Sequence, residues 1–222
     1  MPYTGTLMTD TTTGPQGFKN LTLALYAEAA LPTLFGEFLI SVYRDQNEEE
    51  GAILISKGLH VGSEPFVRVH SECFTGEVLG SLKCDCREQL SLALAEIETR
   101  GQGAIIYLRQ EGRGIGLGNK IKAYHLQNLG ANTIEANHKL GFATDYRHFD
   151  AAAVILKQRG IKSIRINTNN PDKIRELEEH GITIVERLPS LTAMNTHNEE
   201  YLRTKMSLLG HHLDSLFPHA KK

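Results

Sequence analysis

Between residues 86 and 190 the chain alternates two kinds of segment, and this alternation limits the possible folds more than any other feature. REQLSLALAEIETRG, Arg87 to Gly101, has helical spacing and stops at a glycine. AIIYLR, Ala104 to Arg109, is a short apolar run of strand type. NKIKAYHLQNLG and DAAAVILKQRG read as helices ending at Gly130 and Gly160. IKSIRIN reads as a strand, PDKIRELEEHG as a helix opening at Pro171, and ITIVERL as another strand. Strands separated by helices build a sheet with helices packed on it. Upstream the chain is richer in strands. FGEFLISVY and AILISKG flank the charged turn DQNEEEG, and PFVRVH sets Val67 and Val69 against Arg68 and His70 with a period of two. The expected fold class is α/β, a mixed β-sheet core with flanking helices and a β-rich N-terminal part. A last amphipathic helix is expected over YLRTKMSLLGHHL. Residues 1–20, polar and rich in Thr and Gly, read as a flexible N-terminal extension, and residues 21–222 as a single domain.

Charge and hydropathy exclude some classes of function. The net charge of −2 argues against broad binding to nucleic acid or anionic membrane, and a zinc-ribbon-like nucleic-acid binder would also want a fourth ligand and stacking aromatics, whereas Trp is absent. No apolar run approaches the roughly 18 residues of a spanning helix. A charged n-region followed by an apolar h-region is missing, so no secretory signal is read. The expected compartment is the reducing cytoplasm, where thiols stay free.

All three cysteines fall in ECFTGEVLGSLKCDC, spaced C-x10-C-x-C. On a turning segment Cys84 and Cys86 can reach one ion, and Cys73 must return to it across a loop. Three thiolates suit zinc, and three protein ligands leave a position open, as catalytic zinc sites do. A fourth ligand such as His70 would close the site. Three thiols packed as small hydrophobes, or a redox pair, fit the same spacing. Lys83 and Arg87 flank the pair and would favour thiolates.

Four further stretches carry polar side chains where a plain turn would not need them. RVHSE, Arg68 to Glu72, precedes Cys73. RQEGRGIGLGNK places glycines at 112, 114, 116 and 118 between a strand and a helix, which lets backbone N–H groups approach an anion or simply reverses the chain. EANHKLGFATDYR puts Asp145 and Arg147 at the expected start of a helix. NTNNPDK follows a strand and opens a helix, a capped turn with room for phosphate oxygens.

RVHSECFTG, SLKCDC, RQEGRGIGLGNKIKAY, EANHKLGF with its following D-x-R, and TNNPDK, in this order, closely resemble GTP cyclohydrolase II. The resemblance runs from about Glu28 to about Gly210. It implies a single catalytic domain over 21–222, in the free-standing form without a dihydroxybutanone-phosphate synthase domain. It implies the first committed step of riboflavin biosynthesis: hydrolysis of GTP to 2,5-diamino-6-(5-phospho-ribosylamino)pyrimidin-4(3H)-one, formate and pyrophosphate. The implied cofactors are one Zn²⁺ on Cys73, Cys84 and Cys86 with a water, and Mg²⁺ with the triphosphate. The implied catalytic residues are Tyr124 near the metal, and Asp145 with Arg147 at the α-phosphorus. Arg147 acts there either as a nucleophile or, more simply, as a clamp oriented by its aspartate. GTP-binding residues carry over from RVHSE (Arg68, Val69, His70, Ser71 and Glu72), from Gln89, and from EGR (Glu111, Gly112 and Arg113). Thr133, Thr168 and Lys173 complete them, with Glu111 or Gln89 to read the guanine edge. A homodimer is implied, with no nucleic-acid or membrane partner. The alternatives are an enzyme that stops at the formamidopyrimidine nucleotide and a zinc-stabilised nucleotide-binding module without turnover.

Overall fold

The strands join in one mixed sheet. A computed structural model describes residues 22–47 and 49–217, although nothing is placed for the side chains of Thr133 and Asp214. The expected extension over 1–20 lies outside the described residues. The strands are β1 (Ala24–Thr33), β2 (Gly36–Arg44), β3 (Glu50–Lys57), β4 (Phe66–Ser71), β5 (Gly103–Leu108), β6 (Ser163–Asn167) and β7 (Thr183–Leu188). Their order is β1-β2-β3-β5-β4-β6-β7. The first half is an antiparallel meander, β1 to β3, joined antiparallel to β5. The second half, β5, β4, β6 and β7, is parallel.

β1 was not expected from its residues. ALYAEAALPT is rich in alanine and contains Pro32, both poor strand signals, and it is tolerated because β1 is an edge strand with nearly every residue exposed.

The period of two in β4 and β5 feeds both faces of the sheet. Val67, Val69, Ala104, Ile106 and Leu108 pack with Ile155 and Leu156 of α5 (Asp150–Gln158) and Leu177 of α6 (Pro171–Glu179). Phe66 and Ile105 pack on the other face with Phe38 and with Ala93 and Ile97 of α2 (Cys86–Arg100). Each fully buried aliphatic side chain contributes about 1.5–3 kcal/mol, so these two layers hold the strand ends in place. The crossover from β4 through α2 to β5 lies on one face, and the return through α5 to β6 on the other. β5 and β6 flank β4 on opposite sides, so a crevice opens beyond the C-terminal ends of these three strands, where open α/β sheets place their ligands.

Loops and short helices wall that crevice. α1 (Phe74–Glu77) follows β4, and the tight turn Glu111–Gly114 follows β5 and leads into α3 (Gly116–Asn128) and α4 (Thr133–Lys139). Asp145 and Arg147 stand in the loop ahead of α5, not at a helix start, because that helix opens only at Asp150. α7 (Glu199–Leu209) comes after β7 and ends at Gly210 with φ 63°, short of the expected HHL. Leu202, Leu213 and Phe217 form a small apolar cluster of their own under it. Among the described residues no helix is long and apolar enough to cross a membrane.

Candidate active site

Cys73 leaves β4, Cys84 ends the following turn and Cys86 opens α2, so one strand exit and one helix start bring the three thiols together. Their Sγ atoms lie within 4.8 Å of one another, and Cys73 and Cys84 are 3.6 Å apart. That is far too long for a disulfide and close to the ~3.8 Å that two thiolates adopt on one tetrahedral zinc with bonds of about 2.3 Å. The donor set and its spacing therefore fit a thiolate-binding divalent metal. Gly76 leaves the room: a Cβ there would stand 2.7 Å from Cys84 Sγ and 3.2 Å from Cys73 Sγ. Hydrogen bonds from the thiols of Cys84 and Cys86, and then the Lys120 ammonium, hold Cys73 well below the ordinary thiol range. Cys84, bonded to that thiolate, is pushed up to about 11.

The cation at the thiols is Lys120, not the flanking pair read from the sequence. Its Nζ lies 3.1 Å from Cys73 Sγ and donates to Glu111 Oε1 at 2.8 Å. Lys83 instead donates to Asn128 Oδ1, and Arg87 meets Glu88 on the surface. Lys120 and Tyr124 are four residues apart on α3 and so share a face, a spacing that was available in the sequence. The Tyr124 hydroxyl is 3.4 Å from Thr75 Oγ1, itself 3.8 Å from Cys73 Sγ, and burial pushes this phenol up to about 12.

Beneath the thiols runs a buried hydrogen-bonded chain. Arg68 Nε donates to His70 Nδ1, so the proton of that neutral ring sits on Nε2, which donates to Glu77 Oε1 at 2.8 Å. Tyr107 donates to the other oxygen of Glu77 at 2.7 Å, and burial lifts this carboxyl to about 7. His70 thus spends both nitrogens on protein, and the metal-type cluster among the described residues is the three cysteines alone. Arg68 also donates to Asn167 Oδ1, Ser190 Oγ and Gln89 Oε1, which makes it a floor tying four segments together.

The two groups considered for the guanine edge are both engaged. Glu111 accepts from Phe74 N, Gly112 N and Lys120, while Gln89 lies between Arg68 and Asp85. Glu72 is less occupied, with Arg109 Nε at 3.9 Å.

Cations line the same crevice around the Asp145 loop and the start of α6. Arg147 donates from Nε and Nη2 to both oxygens of Asp145, at 2.9 Å and 2.5 Å, and its backbone N–H donates to the same carboxylate. Burial pulls the Arg147 guanidinium down, but Asp145 outweighs it and leaves the group above its usual range. Lys173 reaches from the first turn of α6 to donate to Val69 O at 2.7 Å. Burial, then Arg147 and Arg68, hold its ammonium well below its usual value. Arg113 has φ 61°, a conformation that costs a non-glycine residue energy and that is held here by its neighbours. Gly112 and Gly114, at φ 62° and 88°, bracket it, and Tyr146 N donates to Arg113 O across to the Asp145 loop. Arg113 Nη1, Ser71 Oγ and Gln110 Oε1 are buried beside the crevice without hydrogen-bond partners among the described residues.

One crevice therefore collects nearly all the residues singled out in the sequence. Val69 and Asp145 are not in its lining but are hydrogen-bonded to Lys173 and Arg147, which are. Thr168 lines it with its hydroxyl accepting from Asn170 N. Thr133 opens α4, and its side chain is outside the described ones. Asp85, Ser190, Tyr201, Lys205 and His211 also line the crevice and were not anticipated. Asp85 was hidden between two cysteines, and the others lie on a segment with no local chemical pattern.

The sequence model of the family described as GTP cyclohydrolase II matches residues 25–189. A GTP cyclohydrolase-2 of Teredinibacter turnerae is 49% identical over 191 residues, covering 85% of this chain and 96% of that protein. A GTP cyclohydrolase-2 of Picrophilus torridus is 45% identical over 189 residues, 85% of this chain and 98% of that protein. The riboflavin biosynthesis protein RibBA of a Synechocystis strain is 51% identical over 185 residues, 82% of this chain, and the chain spans 33% of that longer protein. With this match, the chain belongs to the GTP cyclohydrolase II family.

Proposed function

We propose that the protein hydrolyses GTP to 2,5-diamino-6-(5-phospho-ribosylamino)pyrimidin-4(3H)-one, formate and pyrophosphate, the reaction that opens riboflavin biosynthesis. The observation that carries this reading is one crevice that holds both a three-thiol cluster and an arginine–aspartate pair among cations. We read residues 21–222 as the catalytic unit. The metal proposed for the thiols is zinc, and Mg²⁺ accompanies the triphosphate. Bound to Cys73, Cys84 and Cys86, zinc supplies a Lewis acid that activates water near neutral pH.

The chain's own groups do the rest. Lys120 offsets thiolate charge at Cys73 and is itself oriented by Glu111. Tyr124 keeps its proton at neutral pH, since burial raises it to about 12, and so serves as a hydrogen-bond donor beside the purine ring. Arg147 is held planar and charged by Asp145, which favours an electrostatic clamp at the α-phosphorus over a nucleophile, because a nucleophile would need a neutral guanidine. Arg113 adds charge for the β and γ phosphates, and Lys173, whose charged form burial and Arg147 disfavour, is favoured in that form once the polyanion lies beside it. The thiols of this chain are free, which fits the reducing cytoplasm as its compartment, and the family resemblance suggests a homodimer.

Incubation with GTP, Mg²⁺ and Zn²⁺, followed by mass spectrometry, tests the reading. The expected products are formate, pyrophosphate and the diaminopyrimidine nucleotide in equal amounts. Accumulation of the formamide nucleotide would assign the shorter reaction, and intact GTP would overturn the reading.

A further inference from the structure

Asp85 stands between two of the thiol ligands and is 2% exposed. It occupies the N-cap position of α2, where an aspartate ordinarily accepts a hydrogen bond from the first turn of its own helix, yet it makes no such bond. Its carboxylate is turned elsewhere. Oδ1 accepts from Lys205 Nζ at 3.0 Å, and Oδ2 accepts from Thr192 Oγ1 at 3.1 Å and from Gln89 Nε2 at 2.6 Å. Two of these three partners lie more than a hundred residues away, on the C-terminal segment.

That segment has an unusual attachment. Its apolar residues, Leu202, Leu213 and Phe217, form a cluster separate from the cores of the sheet. Several of its links to the body are polar and end on residues of the crevice. Lys205 and Thr192 hold Asp85, Ser190 Oγ accepts from Arg68, and Ser190 and Asn169 exchange two bonds. It also lies beyond residues 25–189, the stretch that the family's sequence model matches.

We propose that Lys205 and Thr192 position the turn presenting Cys84 and Cys86, acting through Asp85, so that the C-terminal segment is a working part of the metal centre. A carboxylate left alone between two thiolates would move to find another cation or solvent, and both neighbouring sulfurs would move with it. Lys205 and Thr192 keep it facing away from the thiols. Both bond Asp85 and not a thiol, so toward the metal centre both are positioning residues. The inference rests on reading the three thiols as a metal centre.

The test uses the full chain, with Zn²⁺ affinity measured against a chromophoric chelator and the thiolate-to-metal absorption recorded after loading with Co²⁺. Lys205→Met is expected to weaken Zn²⁺ binding about 10–100-fold, as the loss of a partner behind a metal ligand does, and to shift the cobalt bands. Lys205→Arg is expected to restore most of the affinity, and Asp85→Asn in the Lys205→Met background to recover part of it, because no lone buried charge remains. Should Lys205→Met fail to fold, Thr192→Val carries the test: it removes one bond to Asp85 and is expected to weaken Zn²⁺ binding several-fold while the melting temperature holds. Wild-type affinity and an unchanged cobalt spectrum in Lys205→Met, or wild-type affinity in Thr192→Val where Lys205→Met does not fold, would overturn the inference. An unmutated protein that binds no Zn²⁺ would overturn the metal reading beneath it, so the two failures are distinguishable.

Discussion

The two ends of the crevice are built in opposite ways. At the thiol end, three ligands come from one strand exit and one helix start, all between Cys73 and Cys86, and packing leaves no slack around them. At the cation end, Arg113, Arg147 and Lys173 come from two loops and one helix scattered over the second half of the chain. Chemistry explains the difference. A metal ion needs donor atoms within a few ångströms, which a short segment supplies. A triphosphate is long and highly charged, so its site gathers cations from several directions. The balance of charge differs too. Lys120 answers the thiol cluster locally. At the other end Arg147 is paired with Asp145, but among the described residues Lys173 bonds only a carbonyl and Arg113 keeps an unpartnered nitrogen. That surplus positive charge suits an incoming polyanion.

If the ends are independent, their chemistry separates, and this is the largest expected effect. Cys84→Ser removes a ligand and should abolish formate release while leaving some pyrophosphate release. Arg147→Ala should reduce cleavage at the α-phosphorus by about 100-fold or more, since no water can replace a positioned planar cation. Product analysis by mass spectrometry reads both. Equal loss of both products in each variant would mean that the ends act as one unit, and the comparison would break.

A smaller effect probes how little slack the thiol end has. Gly76→Ala places a methyl 2.7 Å from Cys84 Sγ, a distance that real contacts do not tolerate, so a sulfur or the α1 backbone must shift. Zn²⁺ affinity should fall by about tenfold, comparable to disturbing a residue that supports a metal ligand. Gly118→Ala on α3 meets nothing within 4 Å and should bind zinc as the wild type does. Equal affinities for the two variants would show that the thiol end is soft.

The same contrast explains what could be read from the sequence. The mixed sheet and its helices were legible because Val67 and Val69 alternate with Arg68 and His70, and because β5, buried on both faces, reads as a continuous apolar run. β1 was not, since an exposed edge strand needs no apolar pattern. The cysteines stood out through local spacing alone. Arg147 and Lys173 were noticed for the polar stretches that carry them, and the family resemblance gave them roles. Lys205 and Tyr201 were missed because they matter only through contacts made across the fold, and in an amphipathic helix Lys205 reads like the ordinary surface charges Glu199, Glu200 and Arg203. Even where a residue was identified, its task was not. Arg68 looked like a ligand contact, yet its guanidinium bonds His70, Asn167, Gln89 and Ser190.

The smallest expected effect measures the surplus charge at the cation end. His211 lines the crevice, and burial, then the fields of Lys205, Arg147, Lys173 and Arg113, depress its pKa from 6.5 to about 3. The folded protein therefore keeps this ring neutral while the unfolded chain takes up a proton near pH 6.5. The unfolded state binds more protons in the window between those values, so this group's contribution to stability is present above about pH 6.5 and is lost as pH falls towards 3. His211→Gln keeps a polar side chain but cannot titrate. Its melting temperature should fall less than that of the wild type between about pH 7 and about pH 5, with both proteins in the same metal state. Pyrophosphate placed among these cations should cancel part of their field, let the ring take its proton, and bring the two acid profiles together. Cys84→Ser, at the other end, should leave the difference that His211→Gln makes unchanged. If pyrophosphate does not narrow the gap between the profiles at all, the cations around His211 are not the ones that meet the phosphates, and the division of the crevice into two ends must be redrawn.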